Sequence, residues 1–166
     1  GEHEVNYPLG SRSMTLFDIA QAYQTLMNNG MYKELTILQF YTSPFFNSGG
    51  KVQLSKRSRK VYQKDNARAI KSALQYSMKP GGTGTHILDL LPSGKHYYAK
   101  TGTTDEAKHG YTVLSDGETL IVSWASYCKA MESQLECNNT PPIPHGSGAR
   151  SAGVLAALIY KHFNNI

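Results

Sequence analysis

The chain contains 166 residues, of which 40% are hydrophobic and 17% charged, and its formal net charge is +5. This length is enough for one folded domain with its own core, and the composition excludes an intrinsically disordered segment. No stretch reaches the roughly 18 consecutive apolar residues of a membrane-spanning helix, and the N-terminus lacks the features of a signal peptide. We therefore expect a single unit, residues 1–166, with any export signal or membrane anchor upstream of it.

The positive charge is concentrated in the segment 51–64, which contains no acidic residue. A basic balance favours anionic partners such as nucleic acid, phospholipid or an acidic cell-wall polymer. Charge runs usually form solvated faces, however, and no segment resembles a nucleic-acid-binding motif. We predict an exposed basic segment and no nucleic-acid partner. Its cations are Lys51, Lys56, Arg57, Arg59, Lys60 and Lys64.

The first predicted element is a helix from Thr15 to Asn29. Thr15 and Asp18 have the spacing of a reciprocal N-terminal capping pair, and Gly30 is a typical residue after a helix end. Apolar residues recur at helical spacing and define one buried face. They are Leu16, Ile19, Ala20, Tyr23, Leu26 and Met27.

A hairpin and a second helix follow. The segments Leu35–Thr42 and Lys51–Leu54 flank the turn residues Asn47–Gly50, which predicts two paired strands. A helical period runs from Asn66 to Met78, with Asp65 as its candidate N-cap. One side of this helix is predicted to carry Ala67, Ile70, Ala73, Leu74 and Met78.

The C-terminal half predicts three strands and a last helix. The strands are His96–Thr103, Gly110–Leu114 and Thr119–Tyr127, with a hairpin turn at Ser115–Gly117, and short links of this kind favour an antiparallel meander. The helix runs from Ala149 to Phe163. Its predicted apolar side consists of Val154, Leu155, Leu158, Ile159 and His162. The expected fold class is therefore α+β, with helices flanking a mostly antiparallel sheet.

Two cysteines, Cys128 and Cys137, lie in a polar segment near the last helix. In an oxidising compartment they would close a small loop, and the alternative is two free thiols. Two cysteines at this spacing lack the second ligand pair of a zinc site. We expect no metal and no cofactor.

The motif Lys100-Thr101-Gly102-Thr103 ends the first strand of the predicted meander. Alternation along a strand places Lys100 and Gly102 on one side, and Thr101 and Thr103 on the other. Gly102 would let a ligand approach the backbone closely, and the Thr103 N–H would suit an oxyanion if it pointed into a cleft. The alternative is an ordinary polar strand end.

Lys-Thr-Gly is also a signature of penicillin-binding proteins and class A β-lactamases. The chain resembles the class A penicillin-binding proteins over nearly its whole length, in a series of segments that follow the order of that family. The segments are Tyr7–Ser11, Thr15–Leu16, Ala20–Leu26, Asn28–Gly30, Gly82–Thr85, Lys100–Thr104, Thr119–Tyr127 with Trp124, and Ser151–Phe163. The resemblance implies the C-terminal portion of a serine D,D-transpeptidase domain with the β-lactamase/transpeptidase-like fold.

The resemblance also implies roles for the motif residues. Lys100 would support proton transfer, and the hydroxyls of Thr101 and Thr103 would bind the terminal carboxylate of a peptide. The Thr103 N–H would contribute to the oxyanion hole, and Gly102 and Thr104 would complete the substrate-binding strand. The implied reaction is acyl transfer from a D-alanyl-D-alanine stem peptide through a serine ester, which β-lactams imitate. The implied partners are peptidoglycan stem peptides, β-lactams and the rest of the domain, at an extracytoplasmic location.

The nucleophile of the family is expected outside this chain. Ser-x-x-Lys occurs at Ser48–Lys51, in a Gly-Gly turn, and at Ser126–Lys129, after the Lys-Thr-Gly motif, whereas the family places it far upstream in a helix. Ser-x-Asn does not occur. The expectation is a chain that begins downstream of both motifs and takes up no covalent penicillin label alone. The alternatives are a β-lactamase or D,D-carboxypeptidase, or a non-catalytic wall-binding or scaffold domain of the same fold.

The segment Asp105–Tyr111 departs from the Asp-Ala-Trp-Phe strand that the family often has here. We expect His109 to be an exposed polar residue rather than a cleft residue. The same expectation holds for His86, His96 and His145. Asp105 and Glu106 are adjacent, so shared acid and base work by the two carboxylates is not expected.

Overall fold

The computed structural model describes residues 14–36, 40–42, 51–53, 57–128 and 139–164. The helices within these ranges are α1 (Leu16–Met27), α2 (Lys64–Tyr76), α3 (Thr85–Leu88) and α4 (Ala152–Phe163). The strands are β1 (Met31–Lys33), β2 (Phe40–Thr42), β3 (Lys51–Gln53), β4 (Ser58–Lys60), β5 (Tyr98–Thr103), β6 (His109–Ser115) and β7 (Leu120–Ser126). Short 3₁₀ turns cover Asp105–Ala107 and Pro144–Gly146.

Helix α1 begins and ends as its sequence predicts. The Thr15 hydroxyl accepts a hydrogen bond from the Asp18 N–H (3.1 Å), and the Asp18 carboxylate accepts one from the Thr15 N–H (3.2 Å). This capping box satisfies two N–H groups that the helix leaves free, and the Thr15 hydrogen bonds lower the pKa of Asp18. After the helix, Gly30 has a φ of +85°, which glycine adopts without strain.

The predicted hairpin is confirmed in its paired part, because β2 and β3 are antiparallel and Phe40 is opposite Gln53. Its turn, Asn47–Gly50, lies outside the described residues, as does the resemblance segment Tyr7–Ser11. Residues 34–36 do not form a strand. A second antiparallel pair, β1 with β4, was not predicted.

Strand β4 belongs to the basic segment, and its residues are all exposed. The predicted exposure is therefore confirmed for the part that the structure describes. Its exposed cations are Arg57, Arg59, Lys60 and Lys64. The side chains of Lys51 and Lys56 lie outside the described residues.

Helix α2 begins two residues earlier than predicted, and the prediction of Asp65 as its cap is wrong. Gln63 is the N-cap, with an extended backbone and no capping hydrogen bond from its side chain. That side chain instead accepts from the Lys60 ammonium at 2.7 Å, while Asp65 lies in the first turn and pairs with Arg68 at 3.5 Å. The predicted apolar side is only partly buried, since Ile70 remains 42% exposed.

The predicted meander is confirmed as an antiparallel sheet in the order β5-β6-β7. Alternation gives this sheet two faces, which we call the lysine face and the threonine face. On β5, the lysine face carries Tyr98, Lys100 and Gly102, and the threonine face carries Ala99, Thr101 and Thr103. In one row across the lysine face, Gly102 is opposite Tyr111 and Tyr111 is opposite Trp124.

Helix α4 packs on the threonine face through small residues. The predicted apolar side is therefore wrong for Leu155, Leu158 and His162, whereas Ile159 is half-buried against the core. Leu155 is 43% exposed and Leu158 is 56% exposed. The helix lies too close to its neighbours for large side chains, because a methyl group on Gly153 would lie 2.7 Å from the Ile87 side chain. The buried residues of α4 are Ala152, Gly153, Ala156, Ala157 and Tyr160.

The core lies between the threonine face, α3 and α4. Its largest fully buried side chains include Tyr160, Ile87 and Leu114. The lysine face is approached from the other side by α2, whose Lys71 ammonium lies 5.4 Å from the centre of the Tyr98 ring. Helices therefore lie on both sides of an antiparallel sheet, which confirms the α+β fold class. Within the described part of the chain, no helix is long and apolar enough to cross a membrane.

Candidate functional site

The Lys-Thr-Gly motif lies on the outermost strand of the sheet as far as the structure describes it. The Thr104 N–H donates to the His109 carbonyl at 3.0 Å. Along an antiparallel strand, residues whose N–H and carbonyl bond the partner strand alternate with residues whose backbone groups face away from it. Since Thr104 bonds to β6, the backbone groups of Thr103, Thr101 and Ala99 point away from β6, to the outer edge. The Ala99 carbonyl accepts from the Ser77 hydroxyl at 2.7 Å, as this orientation requires. The edge thus presents the Thr103 N–H outward.

Lys100 is exposed on the lysine face, one strand away from Val113. Its ammonium donates to the Thr101 carbonyl at 2.7 Å, which holds the positive charge along the outer edge of β5. An ammonium has three protons to donate, so two remain for a ligand at this edge. The geometry places a cation beside the outward Thr103 N–H.

The two motif threonines share the threonine face at the open end of β5. Thr103 is exposed, and its hydroxyl oxygen accepts a hydrogen bond from the Gly148 N–H at 3.0 Å. A hydroxyl that accepts in this way keeps its own proton for donation. Thr101 is half-buried, and its hydroxyl makes no hydrogen bond to another described residue. Both hydroxyls can therefore donate to an acceptor at the edge.

Thr104 has a different environment from the other motif residues. Its hydroxyl oxygen accepts from the His109 N–H at 2.9 Å while its own N–H donates to the His109 carbonyl. These bonds close the link between β5 and β6. The structure therefore brings Lys100, Thr101, Gly102 and Thr103 together at the edge and leaves the Thr104 side chain occupied in the turn.

The glycine that supports the motif, Gly148, was missed by sequence reasoning. Its carbonyl accepts from the Thr112 hydroxyl at 3.2 Å, and a methyl group at this position would overlap the Gly102 carbonyl oxygen. The nearby Gly110 is equally confined, since a methyl group there would lie 2.6 Å from the Ser151 hydroxyl. The only signal in the sequence was the run of small residues before α4. Close approach of backbone to backbone requires glycine at such positions.

The segment that carries Gly148 is tied to the β5–β6 link. The Ile143 N–H donates to the Ala107 carbonyl at 2.8 Å, and the Lys108 ammonium donates to the Thr140 carbonyl. The link itself contains Asp105 and Glu106, which are both exposed. The loop before α4 therefore supports the motif from the threonine face.

His109 is not the exposed residue that the sequence predicted. It is half-buried beside Trp124, with ring centres 5.9 Å apart and planes inclined by 22°. The Trp124 indole N–H donates to Nδ1 of His109 at 3.3 Å. The ring centres of Tyr111 and His109 are 6.5 Å apart. Burial raises the pKa of Tyr111. Register explains the cluster, because His109, Tyr111 and Trp124 share the lysine face.

His86, His96 and His145 are exposed, as predicted. His86 contacts Arg150 at 2.9 Å, and His96 contacts Gln75 at 3.0 Å. Within the described ranges, no cluster of three or more histidine, cysteine or acidic side chains has the arrangement of a metal site.

Ser126, the serine of the second Ser-x-x-Lys match, lies at the end of β7. Its hydroxyl donates to the Lys108 carbonyl at 3.0 Å and accepts from the Cys128 N–H at 3.0 Å. Lys129 and the serine of the first match, Ser48, lie outside the described residues. Cys128 is disulfide-bonded, whereas Cys137 lies outside the described residues.

Comparison with known proteins gives one family and one fold. The family profile described as the penicillin-binding protein transpeptidase domain matches residues 2–158. Penicillin-binding protein 1B of Vibrio cholerae serotype O1 is 32% identical over 119 residues, which cover 70% of this chain and 14% of that protein. The chain thus spans about one seventh of this relative.

Three solved structures share the fold, each covering 92% of this chain. A peptidoglycan glycosyltransferase from Burkholderia ambifaria has a TM-score of 0.59 at 20% identity, with 42% of its chain covered. The apo transpeptidase domain of Burkholderia pseudomallei penicillin-binding protein 3 has a TM-score of 0.58 at 16% identity, also with 42% of its chain covered. The imipenem acyl-enzyme of penicillin-binding protein A from M. tuberculosis has a TM-score of 0.60 at 12% identity, with 32% of its chain covered. Because the family profile spans most of its length, the chain belongs to the penicillin-binding protein transpeptidase domain family.

Proposed function

We propose that this chain is the Lys-Thr-Gly wall of a serine D,D-transpeptidase that cross-links peptidoglycan stem peptides outside the cytoplasm. The nucleophilic serine would come from a part of the protein other than this chain. The observation that carries the proposal is the outer edge of β5, which pairs with no other described strand and brings together the Lys100 ammonium, two threonine hydroxyls and the Thr103 N–H. A β-lactam would occupy the same edge as a mimic of the stem peptide.

The threonine hydroxyls suit a peptide carboxylate. The Gly148 N–H occupies a lone pair of the Thr103 hydroxyl oxygen, so this hydroxyl is oriented with its proton available. Thr101 has the same side-chain direction two residues earlier. Two neutral donors and the nearby Lys100 cation would bind the C-terminal carboxylate of a D-alanyl-D-alanine peptide through charge-assisted hydrogen bonds.

The backbone of β5 suits the charge that develops during acyl transfer. The attack of a serine hydroxyl on the penultimate D-alanyl carbonyl creates an oxyanion, and the leaving D-alanine takes a proton. The outward Thr103 N–H would donate to that oxyanion, and the Lys100 ammonium would stabilise the charge of the proton-transfer network. Transfer of the acyl group to an amine then completes the cross-link.

The experiment compares Thr103→Val and Thr103→Ser in the complete protein, labelled with a fluorescent penicillin. Valine removes the hydroxyl donor and keeps the shape, so we expect acylation to slow by about 10- to 100-fold, the equivalent of one charge-assisted hydrogen bond. Serine keeps the donor and should label nearly as fast as the wild type. The matched control is Thr83→Val, at an exposed threonine in the segment before α3.

Two outcomes would contradict the proposal. Equal labelling rates for all three variants would show that the Thr103 hydroxyl does not bind the carboxylate. A complete wild-type protein that takes up no label would instead indicate the non-catalytic scaffold.

A further inference from the structure

We propose that Ser77, the C-cap residue of α2, is a positioning residue for the Lys100 side chain. It would hold the start of the Lys-Thr-Gly motif from the outer edge of β5, as Gly148 holds the far end through Thr103. The inference rests on the proposed function, because the position of the Lys100 ammonium matters only if this cation takes part in acyl transfer. It adds to the reaction a residue that lies outside the motif.

Ser77 joins the last turn of α2 to the outer edge of β5. Its hydroxyl donates to the Ala99 carbonyl at 2.7 Å, and it also lies 2.8 Å from the Leu74 carbonyl oxygen. One hydroxyl has one proton to donate, so the helix and the strand share it in a bifurcated hydrogen bond. Movement of the end of α2 relative to β5 would stretch one of the two contacts.

The backbone of Ser77 is fixed as well. Its N–H donates to the Ala73 carbonyl at 3.3 Å, and its carbonyl accepts from the Gly84 N–H at 2.9 Å. A methyl group on Gly82 would overlap the Ser77 carbonyl oxygen, so the segment before α3 lies directly against this residue. The hydroxyl therefore reaches β5 from a support that α2 and the segment before α3 hold in place.

The contact fixes the peptide group that precedes Lys100. A peptide group is planar, so its carbonyl and its N–H move together. Ser77 bonds the Ala99 carbonyl from the outer side, and on the other side Lys100 pairs with Val113 of β6, so that the Lys100 N–H faces that strand. Because the plane is held on both sides, the backbone rotation that would swing the Lys100 side chain away is restricted.

The direction of this side chain decides where its charge lies. The exposed ammonium is held along the edge by one hydrogen bond, to the Thr101 carbonyl at 2.7 Å. Rotation of the preceding peptide group would break that bond and move the cation away from the Thr103 N–H. A nearby cation lowers the pKa of the group that accepts the serine proton, because it favours the deprotonated form. Loss of the cation would therefore raise that pKa, and acylation would require a higher pH.

The test measures penicillin labelling of the complete protein at several pH values in Ser77→Ala and Ser77→Thr. Alanine removes the hydroxyl, so we expect labelling at neutral pH to slow by about 3- to 10-fold, the equivalent of one neutral hydrogen bond. The acidic limb of the pH profile should also move upward by on the order of half a pH unit. Threonine keeps the hydroxyl and should restore the rate and the profile. The final amplitude of labelling gives the folded fraction, so partial unfolding is measured separately from the rate.

The matched control is Ser72→Ala, at an exposed serine of the same helix, and it should keep the wild-type rate and profile. A wild-type rate in Ser77→Ala would overturn the inference. A slower rate with an unshifted profile would also overturn it, because the role of Ser77 would then be structural. Equal slowing in Ser77→Thr would show that the hydroxyl is not the cause. A complete wild-type protein that takes up no label would instead refute the proposed function, and this inference with it.

Discussion

Gly148 shows how a single residue can support the candidate site, because its backbone contacts two residues of the Lys-Thr-Gly motif. Its N–H is bonded to the Thr103 hydroxyl, and a methyl group on its Cα would overlap the Gly102 carbonyl oxygen. Sequence reasoning found the motif, since Lys-Thr-Gly is contiguous and follows a strand pattern. It did not find Gly148, because a contact 45 residues away depends on how the last loop folds back onto β5.

Replacing Gly148 with alanine should displace β5. The added methyl group would overlap the Gly102 carbonyl oxygen, so we expect a loss of about 1–3 kcal/mol in the free energy of unfolding. Penicillin acylation of the complete protein should also slow by at least about tenfold, because the Thr103 hydroxyl loses its orientation. Denaturant unfolding and labelling kinetics measure the two effects.

The neighbouring substitution Ser147→Ala provides the control for Gly148→Ala. The hydrogen bond of Ser147 to Ser151 uses its backbone carbonyl, so alanine retains it. Wild-type labelling is expected. A Gly148→Ala protein that labels as fast as the wild type would show that the contact does not position the motif.

At the scale of elements, a polar cluster joins the β6–β7 turn to α4. Tyr160 donates to Asp116 at 2.7 Å, and Lys95 contacts Tyr160 at 2.9 Å and Asp116 at 3.3 Å. Burial alone would raise the pKa of Asp116. The hydrogen bonds from the Thr119 N–H, Tyr160, the Glu118 N–H and Lys95 outweigh burial and lower that pKa to about 2. The cluster therefore holds the carboxylate in its charged form.

Asp116→Asn should lower the free energy of unfolding by about 2 kcal/mol at neutral pH. The pKa of this carboxyl is lower in the folded state than its ordinary value of 3.8. The stabilisation that the charged carboxylate provides is therefore complete above pH 3.8 and is lost as the pH falls through about 2. In urea unfolding at several pH values, the difference in the free energy of unfolding between wild type and Asp116→Asn should shrink over this range. Exposed Asp89 supplies the control, Asp89→Asn, and a difference that stays constant with pH would refute the assignment.

The elements themselves were predicted unevenly, for physical reasons. The caps of α1 are local, so Thr15 and Asp18 located the helix start. The N-cap of α2 is Gln63, which forms no capping bond, so local patterns pointed to Asp65 instead. The buried side of α4 was misassigned because the sheet and α3 come close enough to accept only small residues there. The distance between a helix and its neighbours depends on the tertiary structure, and hydrophobic periodicity does not predict it.

For the whole molecule, we predict that the isolated 166-residue chain takes up no covalent penicillin label. The Ser126 hydroxyl is bonded to the Lys108 carbonyl and lies at a strand end, unlike an activated nucleophile next to a base. Mass spectrometry after incubation with penicillin measures the acylated fraction, with the complete protein as the positive control. Stoichiometric acylation of the isolated chain would contradict the expectation that its nucleophile lies elsewhere.

The outer edge of β5 has a second consequence, for self-association. No described strand pairs with this edge, and such an edge is a template for any other extended chain, including a second copy of the same protein. Lys100 stands on this edge with its ammonium held along it. Two copies that approached edge to edge would bring two such cations together and would have to desolvate them. The charge of the proposed site therefore also discourages aggregation through the strand at which we propose that the substrate binds.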